Sequence, residues 1–270
     1  MAKDQPKIVL CMKWGSLYPA SYVNVLHSAV RRHLSGDVRF VCLTPEPEGL
    51  DDGIETFPIP DLGYGPRHWK RGAWPKLSVF VPDLYGLRGR ALFIDLDSVI
   101  LEDLDPFFEV PGDLVSIAGG PGWRRGSLNP TPSLASGVFS FDLGAQAQIA
   151  ERFQADPEGA FDTFGIEQRF VQAHVTAWET WPREWVISFK KHLRRPMVLD
   201  RLLAPRLPDP GTRIVAFHGD PRPIDVTRPD RSSWAAFPRY GRGAIPWVRN
   251  YWLENGFTDG PQAKSGRSRE

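Results

Sequence analysis

Apolar positions along this chain alternate between unbroken short runs and stripes of helical spacing. Residues 7–13 (Lys-Ile-Val-Leu-Cys-Met-Lys) read as a buried strand that stops at Trp14-Gly15. From Pro19 onward, Tyr22, Val25, Leu26, Ala29, Val30 and His33 recur at three and four residues, and Gly36 closes the stripe, so a helix is expected there. Residues 38–44 repeat the strand pattern. A strand, a crossover helix and a strand in this order form a βαβ unit, which predicts two parallel, neighbouring strands with their carboxyl ends on one rim.

The same reading places a short strand near residues 55–58, a Gly- and aromatic-rich loop over 61–70, and a helix starting at Pro75, where Leu77, Phe80 and Val81 keep helical spacing. Residues 91–94 are apolar throughout, as a strand buried on both faces requires. Further strands are expected at 114–117, 138–141 and 213–217, with helices over 145–153 and 166–174. The pattern is α/β. No internal repeat or interior linker divides it, so one domain over residues 1–259 is expected, followed by a polar, flexible tail over 260–270.

Composition narrows the function. The chain of 270 residues carries 33 Lys and Arg against 32 Asp and Glu, a net charge of +1, which argues against a generic binder of nucleic acid or anionic surfaces. No apolar stretch reaches membrane-spanning length, and the opening Met-Ala-Lys-Asp-Gln-Pro-Lys lacks an apolar leader core. The two cysteines, Cys11 and Cys42, sit inside strand runs, away from metal or disulfide spacing; a cytoplasmic location is expected. The 25 Gly, 26 Pro and ten Trp point to a loop-rich surface with many large flat side chains.

The strongest chemical signal is Asp95-Leu96-Asp97, where the central strand gives way to a loop. Two carboxylates at i and i+2 can be aimed at one point above the carboxyl edge of the sheet, the edge where open α/β folds bind ligands. Buried together they repel, so either one is protonated or a cation lies between them. Mg²⁺ or Mn²⁺ is the economical partner, and such ions favour sites that also hold substrate phosphates.

The segment from Ala91 through Asp95-Leu-Asp97 to Phe108 resembles the metal-binding segment of nucleotide-sugar glycosyltransferases of the GT-A fold, most closely glycosyltransferase family 8 and its bacterial relatives. Other segments match in the family's order: residues 12–18, Trp74-Pro-Lys-Leu77, Ser136-Gly-Val-Phe-Ser-Phe-Asp142, Glu167-Gln168 and Phe217-His-Gly-Asp-Pro-Arg-Pro223. The resemblance covers residues 7–224 and is more specific than any of its parts. It implies a GT-A (Rossmann-like) fold, a mixed, mostly parallel sheet flanked by helices. It also implies a Mn²⁺ (or Mg²⁺) ion held by Asp95, Asp97 and His218.

The resemblance further implies a donor site built from Lys13, Trp14, Tyr18, Thr44, Lys76, Ser136, Gly219 and Arg222. Trp14 and Tyr18 are candidates to stack on the donor base, and Lys76 and Arg222 to meet its phosphates. Glu167 and Gln168 would lie near the reacting face, with Gln168 stabilising an oxocarbenium-like state. The implied activity is metal-dependent transfer of a hexose from a nucleotide-diphosphate sugar, a UDP-sugar foremost, with retention, to a glycan, lipid-linked or other hydroxyl acceptor. The chain departs from the family pattern in three places: Ala135-Ser136 stands where Asn-Ser is usual, Glu167-Gln168 where Asp-Gln is usual, and Arg222 where a Lys is usual.

Two other readings use the same residues. Asp95-Leu-Asp-Ser-Val99 also satisfies the first motif of a haloacid dehalogenase-type Mg²⁺ phosphatase, with Gly219-Asp220 and Asp225 imitating its later acidic motif. That nucleophile strand normally opens the domain, whereas here a βαβ unit precedes it. A carbohydrate-binding protein without catalysis would use Trp123, Trp178, Trp181 and Trp185 as stacking faces, although tryptophans equally suit a core. A nucleotidyltransferase would need a Gly-rich loop after the first strand, where only Gly15 stands.

Overall fold

A computed structural model describes residues 5–197, 199–228, 234–235, 241 and 243–258. The expected βαβ unit is present: β1 (Lys7–Met12), α1 (Ala20–His33) and β2 (Val38–Leu43), with β1 parallel to β2 from Lys7↔Val38 to Met12↔Leu43. β3 (Ile54–Phe57) adds to β2, and β4 (Arg90–Ile94) adds to the other side of β1, both parallel. The sheet continues antiparallel through β7 (Ser133–Asp142) to β6 (Leu114–Gly119) and ends at β8 (Glu179–Thr180), in the order β3-β2-β1-β4-β7-β6-β8. The fold is therefore the mixed, mostly parallel α/β arrangement that the sequence implied.

Side chains alternate across this sheet with period two. Val9 and Cys11 join α1 residues Tyr22, Val25 and Leu26 in one core, and Ile8, Leu10 and Met12 join Trp74, Leu77 and Phe80 in the other. Cys11 and Cys42 are register partners, both buried and both free, in keeping with their reading as strand residues. The helices α4 (Ala147–Ala155), α5 (Pro157–Phe164) and α6 (Glu167–His174) follow β7, and α7 (Pro246–Glu254) comes late in the chain. Two short helices, α2 (Pro66–Lys70) and α3 (Pro106–Glu109), lie before and after β4 in the chain. No helix among the described residues is long and apolar enough to cross a membrane.

Three expectations need correction. The segment from Pro75 is a 3₁₀ helix over Trp74–Phe80, not an α-helix, and all seven of its residues are buried, Lys76 included. An amphipathic α-helix would leave a solvated face; this tighter coil is inserted between sheet and helices, and packing sustains a run longer than 3₁₀ helices usually reach. β7 starts at Ser133, before the expected 138, because the small residues Ala135, Ser136 and Gly137 hide its strand pattern. A second sheet, β5 (Ser98–Ile100), β10 (Ile214–Ala216) and β9 (Val186–Ser188), was not legible as a unit, since each strand has only three residues. The expected tail falls outside the described residues.

Tryptophan is mostly a packing residue here. Trp74, Trp123, Trp181 and Trp252 are buried and of the ten only Trp69 is exposed; of the four proposed as sugar-stacking faces, Trp123 and Trp181 are buried and Trp178 and Trp185 half-buried. Trp74 lies 5.5 Å from Phe153, 5.7 Å from Phe161 and 6.0 Å from Phe170, while its indole N–H is buried without a partner. Trp74→Phe removes that orphan donor along with some contact area, so urea unfolding should show a stability change within about 1 kcal/mol.

Candidate functional site

The carboxyl ends of β1, β2 and β4 deliver Lys13-Trp14, Thr44 and Asp95 to one rim. The Asp95 N–H still donates to Gly137 of β7 at 2.9 Å, and the turn closed by Ser98 N–H to Asp95 O (3.1 Å) sends the chain into β5. Asp97 sits in that turn, where the two sheets meet. Its carbonyl accepts the N–H of Phe217, the residue just past β10, at 3.0 Å, so the backbone leading into His218 is held against the acidic turn. Sequence reasoning placed His218 at a strand end; the second sheet supplies the reason.

The acidic pair has a cation inside the protein. The Lys76 ammonium donates to Asp95 Oδ2 at 2.6 Å and to the Ser136 carbonyl at 3.1 Å, with its side chain 8% exposed. Burial opposes its charge, yet Asp95, then Glu167 and Asp97, outweigh that and hold its proton affinity above an ordinary lysine's. Asp95 is pushed up to about 7: dense surroundings raise it, Lys76 opposes, and the Asp97 charge raises it again. Tyr18 donates its hydroxyl to Asp97 Oδ2 at 3.0 Å, and burial followed by the Asp97 charge drives its own pKa well upward, which keeps it a donor.

Glu167 and Ser136 form a brace next to Lys76. Glu167 Oε1 accepts the Ser136 hydroxyl at 2.8 Å and Oε2 accepts the Ala73 N–H at 3.0 Å. Glu167 is buried, and these two bonds tie α6 to β7 and to the residue before the 3₁₀ segment that carries Lys76. Gln168, one residue on, is half-buried and makes no hydrogen bond among the described residues.

Other predicted donor residues are already engaged. Lys13 is buried and paired with Glu46 at 3.0 Å, and the Thr44 hydroxyl accepts the Glu46 N–H at 3.0 Å. Trp14 meets Trp69 edge-on at 6.4 Å, and Tyr18 meets Tyr22 edge-on at 5.0 Å, so Tyr18 presents its hydroxyl to Asp97 with its ring packed. Arg222 donates from Nη1 to the Leu17 carbonyl at 2.9 Å, and its Nε lies 3.8 Å from Asp225 and 3.9 Å from Asp220. Asp225 also accepts the Arg222 N–H at 2.8 Å, which leaves the acidic motif of the phosphatase reading occupied in a turn.

His218 has a positive φ of 32°, and Gly219 follows at 80°, a left-handed pair that turns the chain sharply at the rim. His218 Nε2 and Ser188 Oγ are 2.6 Å apart. Burial, then Lys190 and Lys191, push the imidazole down to about 4, so it is neutral at physiological pH, the form that ligates metals. Two carboxylates and a neutral imidazole suit Mn²⁺ in chemistry. They do not stand ready-gathered: among the described residues no group of three His, Cys, Asp or Glu side chains is placed to hold a metal ion.

Sequence reasoning missed Ser188 and Lys190, which reach the rim from β9. Their signal was the run Val186-Ile-Ser-Phe-Lys190, apolar and then polar as at 214–218, but three-residue strands carry too little periodicity to stand out. A cavity of about 530 Å³ lies elsewhere, among Leu202, Leu203, Leu207, Trp234, Ile245 and Trp247, and none of the predicted residues lines it.

No protein-family profile matches the chain. No curated protein is similar to it in sequence. Solved structures are. The galactosyltransferase LgtC, in complex with donor and acceptor sugar analogues, is 13% identical over 95% of this chain and 98% of its own, with a TM-score of 0.55. GlyE, a glycosyltransferase of Streptococcus pneumoniae, is 10% identical over 94% of this chain and 62% of its own, with a TM-score of 0.56. The bifunctional glycosyltransferase WbbM is 14% identical over 94% of this chain, which spans 50% of WbbM, with a TM-score of 0.55.

Proposed function

The chain has the GT-A fold of known glycosyltransferases, and from that premise we propose that it transfers a sugar from a nucleotide-diphosphate sugar, a UDP-hexose foremost, to a hydroxyl of a glycan, lipid-linked or other acceptor. The observation that carries the reading is the Lys76-bound acidic pair Asp95 and Asp97 at the carboxyl rim of the sheet, with the backbone before His218 bonded to Asp97, supported by the shared fold. Transfer breaks the bond between the anomeric carbon and the diphosphate oxygen, which keeps the electron pair. The acceptor oxygen forms the new bond, with retention, and its proton passes to the departing diphosphate.

This chain's residues contribute charge and position. Asp95, Asp97 and His218 are the side chains that would hold Mn²⁺ or Mg²⁺; once bound, the ion supplies Lewis-acid stabilisation of the leaving diphosphate. Lys76 fixes Asp95 and adds a buried positive charge near the developing negative one. Tyr18 orients Asp97 through its hydroxyl. Glu167 is a positioning residue that braces Lys76, and Gln168, with an unbonded amide, is the residue free to face the transferred sugar.

A donor screen tests the proposal. UDP-, GDP- and other nucleotide sugars are incubated with the protein and Mn²⁺, and nucleoside diphosphate release is measured with and without EDTA. Release from a UDP-sugar that EDTA abolishes is expected. Phosphate release from p-nitrophenyl phosphate with Mg²⁺, and no nucleotide-sugar turnover with any acceptor, would overturn it.

A further inference from the structure

We propose that Lys190 is the cation that receives the donor's diphosphate, the role that the family resemblance gives to Arg222; the inference rests on the nucleotide-sugar reading above. The two side chains differ in what they are already doing. The Arg222 guanidinium holds the Leu17 carbonyl and is flanked by the carboxylates of Asp220 and Asp225, with its side chain 18% exposed. Turning the guanidinium toward a diphosphate would strand the Leu17 carbonyl that it now satisfies. Lys190 is half-buried and makes no hydrogen bond or ion pair with any described residue. An ammonium partly withdrawn from water and lacking a bonded counter-ion has much to gain from a phosphate oxygen.

Packing puts Lys190 at the site. β9 and β10 run parallel and end with Ser188 opposite Ala216, and just beyond the ladder the rings of Phe189 and Phe217 stack at 4.4 Å. Lys190 follows in the helical turn, close enough that its charge is the strongest acting on the His218 imidazole. The bond from Phe217 N–H to Asp97 O holds this end of β10 against the acidic turn, and Asp97 and Asp220 are the carboxylates whose field reaches the Lys190 ammonium. Gly219 shows how close the approach is: a Cβ there would stand 3.3 Å from Lys190 Nζ. The backbone of the left-handed His218-Gly219 turn therefore forms a floor beneath the ammonium.

The turn after β9 sorts the two lysines. Phe189–Leu193 is a single π-helical turn, capped where Ser188 Oγ accepts the Lys191 N–H at 3.2 Å. Extra residues of this kind re-aim side chains and recur at functional sites. Here Lys191 is already engaged, donating to the Gly120 carbonyl at 3.2 Å and lying 5.5 Å from the centre of the Trp123 ring. Lys190 is thus the one of the pair whose ammonium is left without a bonded partner among the described residues, a compact point charge of the sort that phosphates accept from lysine.

The test is calorimetric titration of the intact protein in the presence of Mn²⁺ with UDP, GDP and ADP, each compared with its nucleoside. In the nucleoside diphosphate that binds best, Lys190→Ala should weaken affinity by about tenfold or more, the loss typical of one charge-assisted hydrogen bond. Nucleoside affinity and the thermal melt should stay as in the unmodified protein, and Lys190→Arg should recover most of the loss. Arg222→Ala should alter diphosphate affinity less than threefold. Equal diphosphate affinity in Lys190→Ala, or a larger loss in Arg222→Ala than in Lys190→Ala, overturns the assignment while leaving the donor reading intact. An unmodified protein that binds none of the three diphosphates overturns both.

Discussion

Replacing Asp97 by Ala is expected to lower kcat/KM for the nucleotide sugar by about 10²–10³-fold or more, the scale of removing one transition-state electrostatic contact. The fold should survive the change. The Asp97 carbonyl, which holds Phe217 N–H at 3.0 Å, belongs to the backbone and remains. The Tyr18 hydroxyl loses its acceptor, a cost of about 1 kcal/mol, and removing one of two neighbouring carboxylates relieves repulsion on Asp95. Turnover and a thermal melt, run on the same preparation, separate the two effects. Full turnover in a folded Asp97→Ala protein removes this carboxylate from the chemistry and takes the proposed metal site with it.

Lys76→Met should destabilise the protein by about 3 kcal/mol, a fall in Tm of roughly 6–12 °C. The figure is the low end for breaking a buried ion pair, because the Asp95 side chain keeps 29% of its exposure. Without the ammonium, the carboxylates of Asp95, Asp97 and Glu167 face one another uncompensated. Asp95→Asn in the same background should restore much of the loss, which a merely steric role for Lys76 would not allow.

The pH dependence of this variant has a definite sign. The Asp95 pKa is raised in the fold to about 7, against 3.8 for the ordinary side chain, so its contribution is present at low pH and lost as pH rises through the folded value. Removing Lys76 raises that value further. The stability deficit of Lys76→Met relative to the unmodified protein should accordingly be smaller at pH 5 than at pH 8. Urea unfolding at both values measures it. A deficit that does not change with pH would show that the Lys76–Asp95 contact carries no net charge coupling.

Much of this was written into the chain locally. The βαβ unit follows from residues 7–44 because strand and helix periods are both properties of neighbouring residues. The acidic pair could be placed at a strand's carboxyl end for the same reason, and the net charge of +1 already argued against a broad anionic partner. Folding kept the βαβ unit and the place of the acidic pair, and changed what the charges do. A lysine that the resemblance gives to the donor phosphates is buried in a 3₁₀ segment and bonded to Asp95, while an arginine given the same role is held by the Leu17 carbonyl and flanked by two carboxylates.

The sequence by itself determined which segments pair with their neighbours and where the carboxylates stand. Only the tertiary structure decided which side chains meet, because Lys76 and Asp95, Tyr18 and Asp97, and Ser188 and His218 are brought together by packing between segments distant in the chain. The second sheet is the clearest instance. Its strands of three residues have no period that a sequence can show, yet they carry the chain to the turns that hold Lys190 and His218 beside the acidic pair's loop.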